Sequence, residues 1–420
     1  MPSEVLPEGW TTSTVEQLML DGAVTYGVVQ PGPAVDSGTP MLRVNNFRGY
    51  GLDTSDVMRI AKEVEAKYAR TRIRADDVLI TVVGSVGQVA VVPAELTGWN
   101  LARAVALLRP RERELARWIG SCLRAPTTQH ALGMAANTTV QTTINLKDLR
   151  KLELPMPPAA ERVAIQEVLS ALDDRIDLLR QTNATLESIA QALFKSWFVD
   201  FDPVRAKAEG REPEGMDAAT AALFPAAFEE SALGVIPKGW TVGSVEDLFV
   251  LQRGFDLPAS ARTDGAYTVL AAGGPHGTHH EFMVRGPGVT TGRSGVIGRV
   301  FYSHEAFWPL NTSLWVKEFK VATASFTHQF LQTMDLRRLN AGSAVPTLNR
   351  HHVHAQPTVI PPVSLVSHFS AIADALLRRM RTNEIHAASL TEVRDTLLPR
   401  LISGKLRLPE AQEQLEDVLA

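Results

Sequence analysis

The side chains that could do chemistry in this chain are donors for flat polar edges rather than nucleophiles. Arg43-Val44-Asn45-Asn46-Phe47-Arg48 places two guanidiniums and two amides within six residues. Arginine forks onto the edge of guanine, and asparagine onto that of adenine. Arg70, Arg72 and Arg74 alternate, so an extended segment would put all three on one face, spaced to follow phosphates. Gln141 lies in the polar stretch Asn137 to Thr143, which aligns loosely with Ser343 to Asn349. Arg253, Arg293 and Arg350 are the matching candidates later in the chain, with His276, His279 and His280 behind them.

Covalent chemistry finds no comparable support. There is no glycine-rich phosphate loop ending in Gly-Lys-Ser/Thr, so no nucleotide-driven motor is expected. Thr291-Gly292-Arg293-Ser294-Gly295 is not a nucleophile elbow, because the spacing of its glycines is wrong. Glu65-Ala66-Lys67 resembles a fragment of a nuclease site but has no Pro-Asp pair close before it, and it reads as charged surface. No Asn-Pro-Pro-Tyr-like stretch for amino methylation occurs. Eight of the eleven histidines fall between residues 236 and 360, without cysteine beside them and without a zinc-ligand spacing, so no metal is expected.

The elements that must position these side chains are two long helices. Ile165, Leu169, Leu172, Ile176, Leu179, Asn183, Leu186, Ala190, Leu193 and Trp197 follow steps of four and three, the seam of a coiled coil. At ~1.5 Å per residue, the stretch from Pro158 to Phe198 would run about 60 Å. A second seam runs through Phe369, Ala373, Leu376, Met380, Asn383, Ala387, Leu390, Arg394, Leu397 and Leu401. Asn183 takes an a position and Asn383 a d position, and only an antiparallel pair places a opposite d. With the two asparagines facing, paired residue numbers sum to 566: Trp197 meets Phe369, Leu193 meets Ala373, Ala190 meets Leu376 and Ile165 meets Leu401. Large then faces small, as a packed core prefers. Arg394, opposite Leu172, is the weak layer of this register.

The rest of the chain repeats around those helices. Leu6-Pro7-Glu8-Gly9-Trp10-Thr11 returns as Ile236-Pro237-Lys238-Gly239-Trp240-Thr241, a shift of 230. Gly84-Ser85-Val86-Gly87 and Asn100 return as Gly295-Val296-Ile297-Gly298 and Asn311, a shift of 211, and Pro157-Pro158 returns as Pro361-Pro362. Strands are expected at 77–83 and 89–92, with twins at 288–291 and 296–301, and helices at 117–123 and 326–339. The order is globular segment, long helix, globular segment, long helix, of mixed α/β class. The stretch 200–235, rich in Pro, Ala, Glu and Gly, is expected to be a loop or extended connector with one helical turn at 218–223.

Bulk composition is that of an ordinary globular chain: 420 residues, 45% hydrophobic and 21% charged. A single cysteine, Cys122, allows no intrachain disulfide and suits a reducing compartment. No apolar run is long enough for a membrane span, and Met1 to Trp10 lacks signal-peptide character, so a cytoplasmic location is expected. The net charge of -4 is unevenly spread. Residues 1–155 carry 17 Lys and Arg against 16 Asp and Glu, and residues 236–360 carry 11 against 8, leaving the acidity on the connecting parts. A polyanion needs local rather than global positive charge, so nucleic-acid binding is permitted.

Together the paired Pro-x-Gly-Trp openings, the paired glycine turns with a following Asn, the Pro-Pro starts of two long helices, and Phe198-Val199-Asp200-Phe201-Asp202-Pro203 with Gly215-Met216-Asp217 and Ala222-Leu223-Phe224-Pro225 resemble the specificity subunits of type I restriction-modification enzymes over essentially the whole chain. The resemblance implies target recognition domains at 1–155 and 236–360, spacer helices at 156–199 and 361–404, a connector at 200–235 and a tail at 405–420. It implies that each domain reads half of a split, asymmetric site in double-stranded DNA. The antiparallel helices would set the gap and dock two methyltransferase subunits, with restriction/translocase subunits joining them. On this reading the chain is not an enzyme and holds no cofactor; S-adenosylmethionine and ATP come with the partner subunits. The competing classes are a coiled-coil scaffold that binds only proteins and a self-contained DNA-modifying enzyme.

Overall fold

The computed structural model describes residues 6–49, 51–138, 142–411 and 413. The chain divides into two compact units, Met1–Ile176 with Ala388–Ala420, and Asp177–Ala387. Each unit combines a mixed α/β domain with stretches of both long helices, Ala159–Phe198 and Val363–Ile402.

In the first unit a four-stranded sheet has the order Met19–Tyr26, Val105–Pro110, Val78–Thr81, Val89–Val91, with antiparallel neighbours throughout. Val78 to Ile80 are buried completely, as a central strand requires of an unbroken apolar run. Arg109 clasps Asp77 at the start of that strand through two bonds of 2.8 Å. A three-stranded sheet places Thr39–Leu42 between Met58–Ile60, antiparallel, and Asn100–Leu101, parallel. The ribbon Thr11–Thr14 with Glu153–Met156 ties the beginning of the domain to its end.

The second unit repeats the topology of these three sheets. Its four-stranded sheet runs Phe249–Arg253, Ser313–Phe319, Gly288–Gly292, Val300–Ser303. Its three-stranded sheet holds Tyr267–Ala271 between Gly274–His279, antiparallel, and Phe307–Pro309, parallel. Thr241–Ser244 pairs with Pro357–Ile360. Even the short helices after the openings match: Val15–Leu18 and Val245–Leu248 both begin in capping boxes, Thr14 with Gln17 and Ser244 with Asp247.

Three expectations about elements need correction. The strand expected at 296–301 starts only at Val300, because residues 293–299 fold into a turn with Gly295 and Gly298 at positive φ. The helix expected at 326–339 is Ala324–Thr333 followed by a separate 3-10 turn, Leu336–Leu339. The connector is more ordered than its Pro and Gly content suggests. It holds the helix Asp202–Ala208, with Pro203 in its first turn, the helix Ala218–Ala222, and a hairpin, Phe228–Ser231 with Gly234–Pro237. Val204 and Phe224 anchor it in the core of the second unit.

The helix seam also departs from strict heptads at one end. Phe194 and Leu377 are buried where Leu193 and Leu376 are only partly so. Packing against the globular domain decides this. Phe194 meets Phe326 with ring centroids 5.1 Å apart, and Phe198 meets the same ring at 5.0 Å. Trp197 and Phe369 do face each other, at 6.0 Å.

Candidate nucleic-acid interface

In the first domain the loop after Thr39–Leu42 is built around Asn46, whose side chain is 2% exposed. Its Oδ1 accepts from Arg43 N at 2.8 Å, while its Nδ2 donates to Asp53 O and Asp56 O at 2.9 and 2.8 Å. The amide suggested for base reading is therefore committed to shaping the loop, and Asn46 is removed from the contact candidates. What the loop presents is Asn45 and Arg48, both exposed, with Arg43 half-buried. Arg43 pairs with Asp56 at 3.7 Å and Arg48 with Asp53 at 3.6 Å. The Ser55 hydroxyl and amide hold Asp53 below the usual carboxylate range, so it stays charged beside Arg48.

Arg70, Arg72 and Arg74 do not share a strand face. Ala69–Thr71 is a 3-10 turn, and Arg72 forks onto buried Glu65 through bonds of 2.6 and 2.7 Å. That pairing lowers the Glu65 pKa and raises that of Arg72. Asn100 completes the cluster by donating to Tyr68 O at 3.2 Å and accepting from the Thr71 hydroxyl at 2.8 Å. Alternation alone suggested a strand; the pull of a buried carboxylate on Arg72 was not visible without the fold. Arg70 and Arg74 remain exposed. Gln141 lies outside the described residues.

Two motifs far apart in the sequence become one edge. Gly84 N donates to Thr142 O at 3.0 Å, and Ile144 N to Val82 O at 2.9 Å, so the glycine turn and the polar loop run side by side. In the second domain Gly295 N donates to Pro346 O at 2.9 Å, and Leu348 N to Arg293 O at 2.8 Å. Asn340 stiffens that loop, its Oδ1 accepting from the amides of Gly342 and Thr347, each at 2.9 Å. Ser343, Ala344, Val345 and Pro346 stand exposed at its tip, beside exposed Val296.

The expected arginines of the second domain are spread around this edge. Arg293 sits at the root of the turn and donates to Asn311 O at 2.9 Å, half-buried. Arg253 is exposed and lies 3.4 Å from Asp256. Arg350 opens the short helix Arg350–His354, half-buried. Sequence reasoning missed Arg299 and Arg337, both exposed and both at the turn. Arg299 directly follows Gly298, and that adjacency was the available signal. Arg337 reaches the turn only through tertiary packing.

Along the paired helices, Asn383 Nδ2 donates to Asn183 Oδ1 at 2.8 Å, and Asn183 Nδ2 to Met380 O at 2.9 Å. In the first unit Arg394 is buried, yet Asp173 accepts from its Nη1 at 2.8 Å and Asp395 from its Nε and Nη2 at 3.0 and 2.8 Å. The weak layer of the register is thus a clamped cation.

Of the histidines, His354 is buried and accepts from Leu251 N at 2.8 Å; desolvation lowers its pKa. His279, His280 and Glu281 bring one ligating atom each within 4.8 Å. Two of the three are exposed, and Thr263 shares the Nδ1 atoms of both imidazoles, so the group reads as a hydrogen-bonded corner.

Two copies of one mixed α/β domain recur in the chain, each with a glycine turn zipped to a polar loop. The chain belongs to the family described as type I restriction modification DNA specificity domain, whose model matches residues 34–188 and 237–394. It is 30% identical over 199 residues to the type I restriction enzyme EcoBI specificity subunit of Escherichia coli, covering 45% of this chain and 42% of that protein. It is 26% identical over 330 residues to the HindI specificity subunit of Haemophilus influenzae, covering 63% and 71%. The chain thus spans less than half the length of the first relative. The crystal structure of a type I restriction-modification S subunit from M. genitalium shares the fold, with a TM-score of 0.53 and 17% identity over 96% of this chain and 98% of that one. Among the described residues no helix is long and apolar enough to cross a membrane.

Proposed function

We propose that this chain is the DNA-specificity subunit of a type I restriction-modification system. Each recognition domain reads one half of a bipartite site in double-stranded DNA, and the halves differ in sequence. The single observation that carries this reading is the repeated edge. One topology and one pair of zipping hydrogen bonds recur in both domains, while the side chains on the edge differ. A shared scaffold with unlike contacts is what an asymmetric two-part target requires, and half-site spacing then follows from the separation of two readers on stiff helices.

Catalysis is assigned to partners. Two methyltransferase subunits dock on the paired helices and bring S-adenosylmethionine, and restriction/translocase subunits bring ATP. Linking two weak readers raises affinity through effective concentration when both half-sites are at the correct distance.

The test is base-resolution methylation mapping in cells expressing the chain with the methyltransferase encoded beside it, compared with cells lacking the chain. The expected result is adenine methylation in one split motif with two unlike halves, present only with the chain. A stable complex that adds no methylation would overturn the reading in favour of a protein scaffold.

A further inference from the structure

The two domains put different side chains on the same spot of the same turn. The second glycine of each turn has φ +87°, Gly87 in the first domain and Gly298 in the second. In the first domain Gln129 covers that glycine. Its Nε2 donates to Gly87 O at 2.9 Å and to Leu123 O at 2.6 Å, so both amide hydrogens are consumed inside the domain. In the second domain the cover is Arg337: a Cβ added at residue 298 would lie 3.1 Å from Arg337 Cγ and 3.2 Å from its Nε.

That guanidinium is held but not spent. Arg337 is exposed, and among the described residues it makes no ion pair, whereas its neighbour Arg338 is paired with Asp335 at 2.9 Å. Its stem lies against the glycine. Beside it stands the loop braced by Asn340, with Val345 52% and Val296 43% exposed. Apolar side chains of this size suit a thymine methyl, and an exposed guanidinium on the same turn suits the O6 and N7 acceptors of guanine.

We infer that Arg337 is a specificity-determining residue of the second recognition domain and reads a guanine in that domain's half-site. Gln129 holds the equivalent place in the first domain as an internal clamp, so the first half-site has no contact from this position. The inference rests on the DNA-specificity reading above.

Methylation mapping with the intact chain and its methyltransferase tests it, using wild type, Arg337→Ala, Arg337→Lys and Arg338→Ala. Wild type should show guanine at one position of the second half-site. Arg337→Ala should lower methylation of those sites by roughly tenfold or more and relax that one position, leaving the first half unchanged. Arg337→Lys keeps the charge but loses the planar fork, so it should also relax the position; Arg338→Ala should leave the motif intact. Full recovery by Lys would make Arg337 a phosphate contact and overturn the inference, as would an unchanged motif in Arg337→Ala. If the wild-type chain directs no methylation and binds no duplex, the underlying reading fails and the inference with it.

Discussion

Asn383 donates its side-chain amide to Asn183 Oδ1 at 2.8 Å, and Asn183 passes the chain on to Met380 O. Asn383 is 2% exposed and Asn183 half-buried, so the bond is a polar layer within the seam. Such a layer fixes register at a cost in stability, because a slipped alignment leaves amides unpaired among leucines.

Asn183→Ala should therefore destabilise the second unit by about 1–3 kcal/mol, since Asn383 is left buried without its acceptor. The double change Asn183→Leu with Asn383→Leu should cost less than the single one. Urea unfolding of wild type, Asn183→Leu, Asn383→Leu and the double variant, with Asn183→Ala alongside, checks this. Strict additivity would show that the amides do not act as a pair.

Asp173 accepts from Arg394 across the helix pair at 2.8 Å, and it also lies 3.4 Å from Arg124. Asp173→Ala removes the carboxylate that accepts from the nearly buried Arg394 guanidinium at 2.8 Å, and should cost on the order of 3 kcal/mol. Arg394→Met, which removes the charge and keeps volume in the seam, should cost much less. Urea midpoints of the two variants give the comparison, and equal losses would rule out a cost that comes from the buried charge.

His328 is buried on the helix Ala324–Thr333, and desolvation pushes its pKa down to about 4. Between the ordinary value of 6.5 and about 4, the unfolded chain binds a proton that the folded chain refuses. Stability from this group is present above pH 6.5 and declines as pH falls towards 4, by up to roughly 3 kcal/mol. His328→Gln should flatten the slope of stability against pH across that interval. An unaltered slope in unfolding measurements would place the acid sensitivity elsewhere.

Gly298 combines φ +87° with the stem of Arg337 lying against it. Gly298→Ala must accept left-handed backbone, costing about 1–2 kcal/mol, and must also push the Arg337 stem aside slightly. The variant should fold with a small loss in midpoint and show the same altered second half-site as Arg337→Ala. A wild-type methylation motif in this variant would mean that the turn does not position the arginine.

The residues themselves already determined the mixed α/β class, the repeat and the antiparallel register. Heptad spacing records which helix faces are apolar, and two off-pattern asparagines leave one alignment that pairs them. The glycine turns were equally legible, because positive φ at Gly295 and Gly298 restricts residue choice locally. Tertiary structure alone decided which polar side chains are free. Asn46 looks like a reader and is a loop brace; Arg72 looks like one of a row and is held by Glu65; Arg337, with no signal around it in sequence, lies uncommitted on a turn forty residues earlier. The reason is physical. A guanidinium or amide is available to a ligand only if no buried acceptor claims it first, and those acceptors come from distant parts of the chain.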